Sequence, residues 1–390
     1  MSNYPSVKLT EEGMRDGLQI ERPDIPVADK IRLLDALSET GLKEIAVGSF
    51  VSPTWVPQMA CIDELVRGFH PKPGVTYTAT ALNEMGRERL RQYVPLLSDE
   101  KYQAQTEVYL CDVFAQRNIN RTIGQQMARW AKAIEEAKAK GAKAAGIGIS
   151  ASWGSNWTGE VTHADRMTML ERQYRLWEEA GIPVTKVGIF DPMGWNMPDP
   201  VERQLVAIKE RWPSIKSFNL HLHNTRGMAL TSSYIALKAL DSTDTLLLQP
   251  AIGGMGGCPF CGNGRAAGLA PTEDLVHMLE EMGISTGVDL DKLIECVWMA
   301  EEIVGHPLWG HVSKGGPRPR GKKLYAMDMP FIETLEEARH FIKGPAAYEG
   351  APSPWKEAIK SPQRPETVSS NGDSQSSHNP DEAPTRWLPS

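Results

Sequence analysis

Two histidines stand two residues apart in the stretch NLHLHNTRGMAL, as His221 and His223. The chain has nine histidines in 390 residues, so their pairing asks for a physical reading. The residues around them, SFNLHLH at 217–223, read as a strand running to its end. Residues two apart on a strand point to the same side, so two imidazoles can converge on one object. A metal ion is one such object, since imidazole is the commonest metal ligand. Two buried, hydrogen-bonded histidines are the other reading this stretch leaves open. A second chemical stretch is EEGMRDGLQ, 11–19, where Arg15 offers a fixed cationic fork and Asp16 a hard anionic oxygen. Taken alone, it also reads as a surface turn at Asp-Gly. A third is GGMGGCPFCGNGRAAG, 253–268, whose glycines permit close backbone approach and a lid. Cys258 and Cys261 form a C-x-x-C there, but a zinc site needs a second such pair and the sequence has none. Cys258, just after two glycines, is the candidate reactive thiol, with a simple packed or exposed cysteine as the alternative.

These residues need elements to position them. Short apolar runs alternate with amphipathic stretches along the chain. Strands are read at 6–12, 44–47, 75–80, 106–110, 144–150, 185–190, 217–223 and 245–251. Helices are read at 26–41, 123–141, 164–181, 199–212, 228–240, 271–283 and 289–305, with Thr272 as a cap of the 271–283 helix. Such alternation argues for a parallel sheet, and eight units over about 280 residues is the size of a closed barrel. The expected fold is α/β, a (β/α)8 TIM barrel with a C-terminal extension; a doubly wound open sheet is the structural alternative. In a barrel, chemistry sits at the C-terminal strand ends. Arg15, Asp16, Ser49, Asp191, His221, His223 and the glycine-rich loop all fall at such ends. One carboxylate and two imidazoles with open positions suit a catalytic divalent cation, Mg2+ or Mn2+ where oxygen ligands complete the sphere.

Composition narrows the class. A net charge of −7 argues against a nucleic-acid surface. Five scattered cysteines do not make a disulfide framework. The N-terminus has no apolar signal region, and no window is apolar enough for a membrane span, so a cytoplasmic location without membrane partners is expected. The barrel is expected over 1–305, an extension on or near its mouth over 306–360, and a disordered tail over 361–390. That last stretch is rich in Pro, Ser, Asn and Asp and poor in core-formers.

In combination the motifs resemble a known family. RDGLQ (15–19), SFVSPTWVPQM (49–59), RNIN (117–120), HLHNTRG (221–227), GGMGGCPF (253–260) and TEDLVHMLEEMGISTGVDLDKL (272–293) are similar to those of 3-hydroxy-3-methylglutaryl-CoA lyases, over roughly residues 5–305. The resemblance implies that Asp16, His221 and His223 are metal ligands. It implies that Arg15 stabilises the enolate oxygen of a departing thioester and that Cys258 acts in proton transfer. His221 also matches the residue proposed to take the hydroxyl proton. Asp191 stands where the family has a Gly-Asp-Thr strand end and is counted among the catalytic candidates. Gln19 and Ser49, with the basic Lys314 and Arg318, are expected at the substrate. Trp153, Trp157 and Trp195 are candidates for walls of the acyl pocket or for packing.

Two departures bear on the substrate. Ala46 stands where the lyases carry a Glu, and Glu44 shares that strand face further down the barrel. Leu269 aligns with the family's fourth ligand, an Asn, so Asn263 or water is expected in that role. The expected activity is divalent-metal-dependent cleavage of a 3-hydroxyacyl-CoA, by retro-Claisen chemistry, to acetyl-CoA or another short acyl-CoA plus a keto acid. An aldolase or Claisen-type synthase on a non-CoA substrate, and a non-catalytic metal- or acyl-CoA-binding barrel, are the alternatives. The expected partners are a small acyl-CoA substrate and further copies of the chain in a homodimer or other homo-oligomer.

Overall fold

The structure is a computed structural model, and it describes residues 3–99, 104–262 and 268–321. Two units divide the chain, Met1–Ser313 and Lys314–Ser390. In the first, strands and helices alternate as expected. The strands are β1 Ser6–Glu11, β2 Glu44–Ser49, β3 Thr76–Thr80, β4 Leu97–Ser98, β5 Gln105–Tyr109, β6 Ala145–Ser150, a hairpin of β7 Gly154–Ser155 and β8 Gly159–Glu160, then β9 Val184–Asp191, β10 Ser217–Leu222 and β11 Thr245–Leu248. Nine of them form one sheet in the order β4-β3-β2-β1-β11-β10-β9-β6-β5. Every pairing in it is parallel. This is the curled sheet of a (β/α)8 barrel with one two-residue strand added. The addition, β4, lies in a stretch with no alternating apolar pattern, which is why the sequence reading passes over it. Among the described residues no ladder joins β4 to β5, so these two strands are the edges of the sheet.

Helices cover the sheet where apolar residues recur on one face. Helix α1, Val27–Ser38, follows Pro26 and buries Leu33, Leu34 and Leu37 completely. Between it and the next long helices lie α2 Ile62–Gly68, α3 Glu84–Arg91 and α4 Asp112–Ile119. The stretch 123–141, read as one helix, is two: α5 Ile123–Met127 and α6 Trp130–Ala139. Helix α5 opens on a capping box between Thr122 and Gln125. Gln126 and Trp130, on either side of the break, meet the edge of β5: Tyr109 N–H donates to Gln126 Oε1 at 3.0 Å, and Trp130 Nε1–H donates to Glu107 O at 3.2 Å. Helices α7 His163–Glu179, α8 Pro198–Arg211, α9 Ala229–Ala239, α10 Thr272–Glu281 and α11 Leu290–Val304 complete the outer layer. Thr272 is not the cap of α10: Pro271 holds that position, and the Thr272 hydroxyl donates to Glu11 Oε2 at 2.5 Å. The hydroxyl is drawn away because Glu11 is fully buried and needs donors; Gly13 N–H at 2.7 Å and Ile252 N–H at 2.9 Å supply the others. Residues 306–313 belong to the first unit, tied to it by Trp309 N–H donating to Gly253 O at 2.8 Å and His311 N–H to Asp274. Among the described residues no helix is long and apolar enough to cross a membrane.

Candidate active site

Arg15 and Asp16 ride on a wide turn, Gly13–Gly17, directly after β1. Gly17 N–H donates five residues back, to Glu12 O at 3.1 Å, rather than the usual four. Such π-type turns recur at functional sites. This one carries the Asp16 carboxylate to the end of β10. There His221 Nε2 lies 3.6 Å from Asp16 Oδ2 and 3.1 Å from His223 Nε2. One donor atom from each of the three residues falls within 4.8 Å of the other two. All three residues are buried, with Asp16 and His221 each 8% exposed and His223 2%.

The electrostatics suit a cation. Burial is the largest influence on both imidazoles and lowers both; His221 sits below its ordinary value and His223 is pushed down to about 3. Neutral imidazole is the form that ligates a metal. Burial opposes ionisation of Asp16, but Arg15, the two histidines and Gly257 N–H outweigh it and hold its carboxyl below the usual range. Only one proton fits between two Nε2 atoms 3.1 Å apart, and a carboxylate lies beside them. Three lone-pair donors in one buried spot repel one another, and a divalent cation is what relieves that. The residues present therefore fit a metal.

The turn and the glycine loop lock together. Gly257 N–H donates to Asp16 Oδ1 at 3.3 Å. Gly256 has a φ of +93°, and a Cβ there would come within 2.8 Å of Asp16 Oδ1. The loop thus passes so near the carboxylate that only glycine leaves room. Arg15 is held from two sides, its Nε 2.6 Å from Glu12 Oε2 and its Nη1 2.8 Å from Asp16 Oδ2. Glu12 is a partner that the motif reading did not single out. Its neighbour Glu11 joins β1 to the loop after β11, and its isolated place in the sequence carried no signal of that role.

Cys258 follows on the loop and is half-buried. Burial, with the charges of Asp16 and Asp191 beyond it, pushes its thiol up to about 12, so it keeps its proton at neutral pH. Phe260 packs on Trp157 and Phe114, with ring centroids 5.5 and 6.1 Å away, and its carbonyl accepts from Asn156. Trp195 Nε1–H donates to Asn156 at 3.3 Å. Trp157 and Trp195 therefore border the cysteine loop, whereas Trp153 is buried in the core beneath Arg166.

Asp191, at the end of β9, does not join the three ligands. Its Oδ2 accepts Asn196 N–H at 2.6 Å and Asn196 Nδ2–H at 2.7 Å, and Asn196 Nδ2 also reaches His223 O at 2.8 Å. Burial raises its carboxyl to about 6. With no exposed surface, Asp191 braces the backbone of His223. Ser49 ends β2 fully buried, and Gln19 is half-buried just beyond the Arg15–Asp16 turn. Leu269 is fully buried and bridges backbone to backbone with His223, so its position adjoins the site although its side chain offers no ligand. Asn263 lies outside the described residues. Lys314 and Arg318 are exposed and belong to the second unit.

Comparison with known proteins places this geometry. A family model described as HMGL-like matches residues 6–299. The chain is 32% identical over 289 residues to the mitochondrial hydroxymethylglutaryl-CoA lyase of Gallus gallus, covering 74% of this chain and 90% of that one. It is 34% identical over 294 residues to a Pseudomonas aeruginosa protein described as a 3-hydroxy-3-isohexenylglutaryl-CoA/hydroxymethylglutaryl-CoA lyase, covering 75% and 91%. The crystal structure of the Bacillus subtilis HMG-CoA lyase superposes with a TM-score of 0.66 at 30% identity, covering 80% of this chain and 98% of that one. With three quarters of its length matched in sequence and the barrel matched in space, the chain belongs to the HMGL-like family and is an enzyme of the lyase class.

Proposed function

We propose that this protein cleaves the C2–C3 bond of a 3-hydroxyacyl-CoA resembling 3-hydroxy-3-methylglutaryl-CoA, in a reaction that depends on a divalent cation. The observation that carries this reading is the convergence of Asp16, His221 and His223 beside Arg15 and the protonated Cys258. Asp16, His221 and His223 would hold Mg2+ or Mn2+, with Asn263 as a further candidate ligand. When bound, the ion supplies positive charge to the substrate's hydroxyl and carbonyl oxygens.

The chain's own residues do the rest. The C3 hydroxyl gives its proton to an imidazole, and His221 is the more exposed of the two. A neutral imidazole has one lone pair, so of the three residues that would hold the ion His221 is the one that would leave it on taking the proton, with Asp16 and His223 holding it throughout. The C2–C3 electron pair moves to C2, the carbon alpha to the thioester carbonyl, and on to that carbonyl's oxygen as a new carbonyl forms at C3. Charge builds on the thioester enolate oxygen, which the Arg15 guanidinium, fixed by Glu12 and Asp16, is placed to meet. The Cys258 thiol then protonates C2. The products are acetyl-CoA or another short acyl-CoA and a keto acid. Proton taken and proton given balance.

Ala46 supports a substrate whose acyl part differs in shape from 3-hydroxy-3-methylglutaryl, since the small side chain leaves space where a Glu is expected. The similarity to a lyase named for an isohexenyl substrate points the same way. The test is incubation of Mg2+- or Mn2+-loaded protein with a panel of 3-hydroxyacyl-CoAs of increasing 3-substituent size, with short acyl-CoA measured by mass spectrometry. Release should depend on metal and disappear in Asp16→Asn. No cleavage of any thioester by metal-loaded protein would sink the reading.

A further inference from the structure

Lys30, on α1, is only 3% exposed. Its ammonium donates to Gln58 O at 2.7 Å and to Cys61 Sγ at 3.4 Å. An ammonium has three N–H donors, and among the described residues these are the two acceptors it meets. No carboxylate lies within ion-pair reach of it among those residues. A buried cation without an anionic partner is costly, because nothing replaces the water it has lost. At Lys30 the place of that partner is taken by a sulfur atom. Cys61 directly precedes α2 and is part-exposed, so a small solute can reach it. The ammonium is also held where it is, since the side chain of Gln58 is itself tied to Glu21 O at 2.9 Å.

Reactive cysteines are accessible thiols beside a cation, and oxidation at such a sulfur ends in oxygen anions. Cys111, Cys261 and Cys296 are buried. Cys258 is part-exposed, but among the described residues no cation donates to its sulfur. Cys61 therefore combines the two features that the other four cysteines lack in combination: access, and a fixed ammonium aimed at the sulfur.

We propose that Cys61 is a site of oxidative modification by hydroperoxides, and that its anionic product becomes the ion partner Lys30 lacks. In the first step the sulfur attacks the O–O bond and the thiol proton passes to the departing oxygen. Cys–SH and R–OOH become Cys–SOH and R–OH. A second hydroperoxide carries the sulfenic acid to a sulfinate, with release of R–OH and a proton. In each step sulfur loses two electrons and the peroxide gains them. The sulfinate oxygens accept from Lys30 Nζ as a charge-assisted bond, which is stronger than the N–H···S contact it replaces. None of the residues placed at the reaction site takes part, so the modification is independent of which thioester is cleaved.

The test treats the reduced, Mg2+-loaded full chain with hydrogen peroxide in the presence of dimedone, which traps sulfenic acid, and reads labelling at each cysteine by peptide mass spectrometry. Cys61 should label faster than Cys258 in the same molecules. Lys30→Met, which keeps the side-chain length and removes the charge, should slow labelling of Cys61 about tenfold or more, the size of one lost charge-assisted bond, while Lys30→Arg keeps it fast. Labelling of Cys61 no faster than that of Cys258, or undiminished in Lys30→Met, overturns the proposal. Cys61→Asp decides the matter if Lys30→Met does not fold, because it sets a carboxylate where the oxidised sulfur would stand. Its urea midpoint should exceed those of the wild type and of Cys61→Ser. A midpoint no higher than the wild type's shows that Lys30 takes no anionic partner at this place, and overturns the proposal.

Discussion

Substituting Gly256 by alanine should separate the cost of backbone strain from the cost of a displaced metal ligand. At φ +93° an L-residue loses about 1–2 kcal/mol relative to glycine. The new Cβ would also stand 2.8 Å from Asp16 Oδ1 and 3.1 Å from Asp16 C and O. Those are fixed atoms of a turn already tied to Glu12 and Arg15, so relief requires the carboxylate to swing away from the imidazoles. Overpacking of this kind adds about 1–3 kcal/mol. The total loss of stability is then about 2–5 kcal/mol. Metal affinity should fall about 10- to 100-fold, as when a group that orients a ligand is lost. Gly283→Ala is the control: its φ is +76°, but a Cβ there meets nothing within 4 Å. It carries the backbone term alone and should bind metal as the wild type does. The assay is Mn2+ titration calorimetry beside urea unfolding in chelator. Wild-type Mn2+ affinity in Gly256→Ala, or equal affinity losses in both variants, would refute the claim that this loop seats Asp16.

Three further outcomes are expected. Glu273 is fully buried, its Oε2 accepts Gly253 N–H at 2.9 Å, its Oε1 has no hydrogen-bond partner among the described residues, and burial raises its carboxyl from 4.5 to about 8. The folded state thus keeps a proton that the unfolded chain has lost between those values, so its contribution is complete below pH 4.5 and falls as pH rises to about 8. The slope is about 1.4 kcal/mol per pH unit, on the order of 4–5 kcal/mol across the window, and urea unfolding at several pH values should show that Glu273→Gln lacks it. Cys258→Ser should lower kcat about 10²- to 10⁴-fold, the range for loss of a proton donor, with Mn2+ affinity by calorimetry unchanged. Truncation after residue 360 should leave kcat/KM for the cleaved thioester as it is in the full chain, and a large loss would show that the tail takes part.

Much of the architecture was readable because strand and helix periods are local. Leu33, Leu34 and Leu37 declare the buried face of α1, and the alternation of His221 and His223 declares one strand face. The motifs located the family, which the comparisons bear out. Local pattern failed where a partner lay far off in the chain. Thr272 looks like a cap from its neighbours, but a buried carboxylate 261 residues away takes its hydroxyl. The helix read over 123–141 breaks between Gln126 and Trp130, which meet the edge of β5.

What the sequence determined by itself is therefore a set of elements and a set of reactive residues, since both depend on side-chain identity and short-range spacing. Only the tertiary structure decided which of those residues meet. Asp16 reaches two histidines more than 200 positions later because β1 and β10 flank β11 in the curled sheet and the π-turn aims the carboxylate inward. Asp191, equally prominent in the sequence, is turned instead into Asn196 and the backbone of His223.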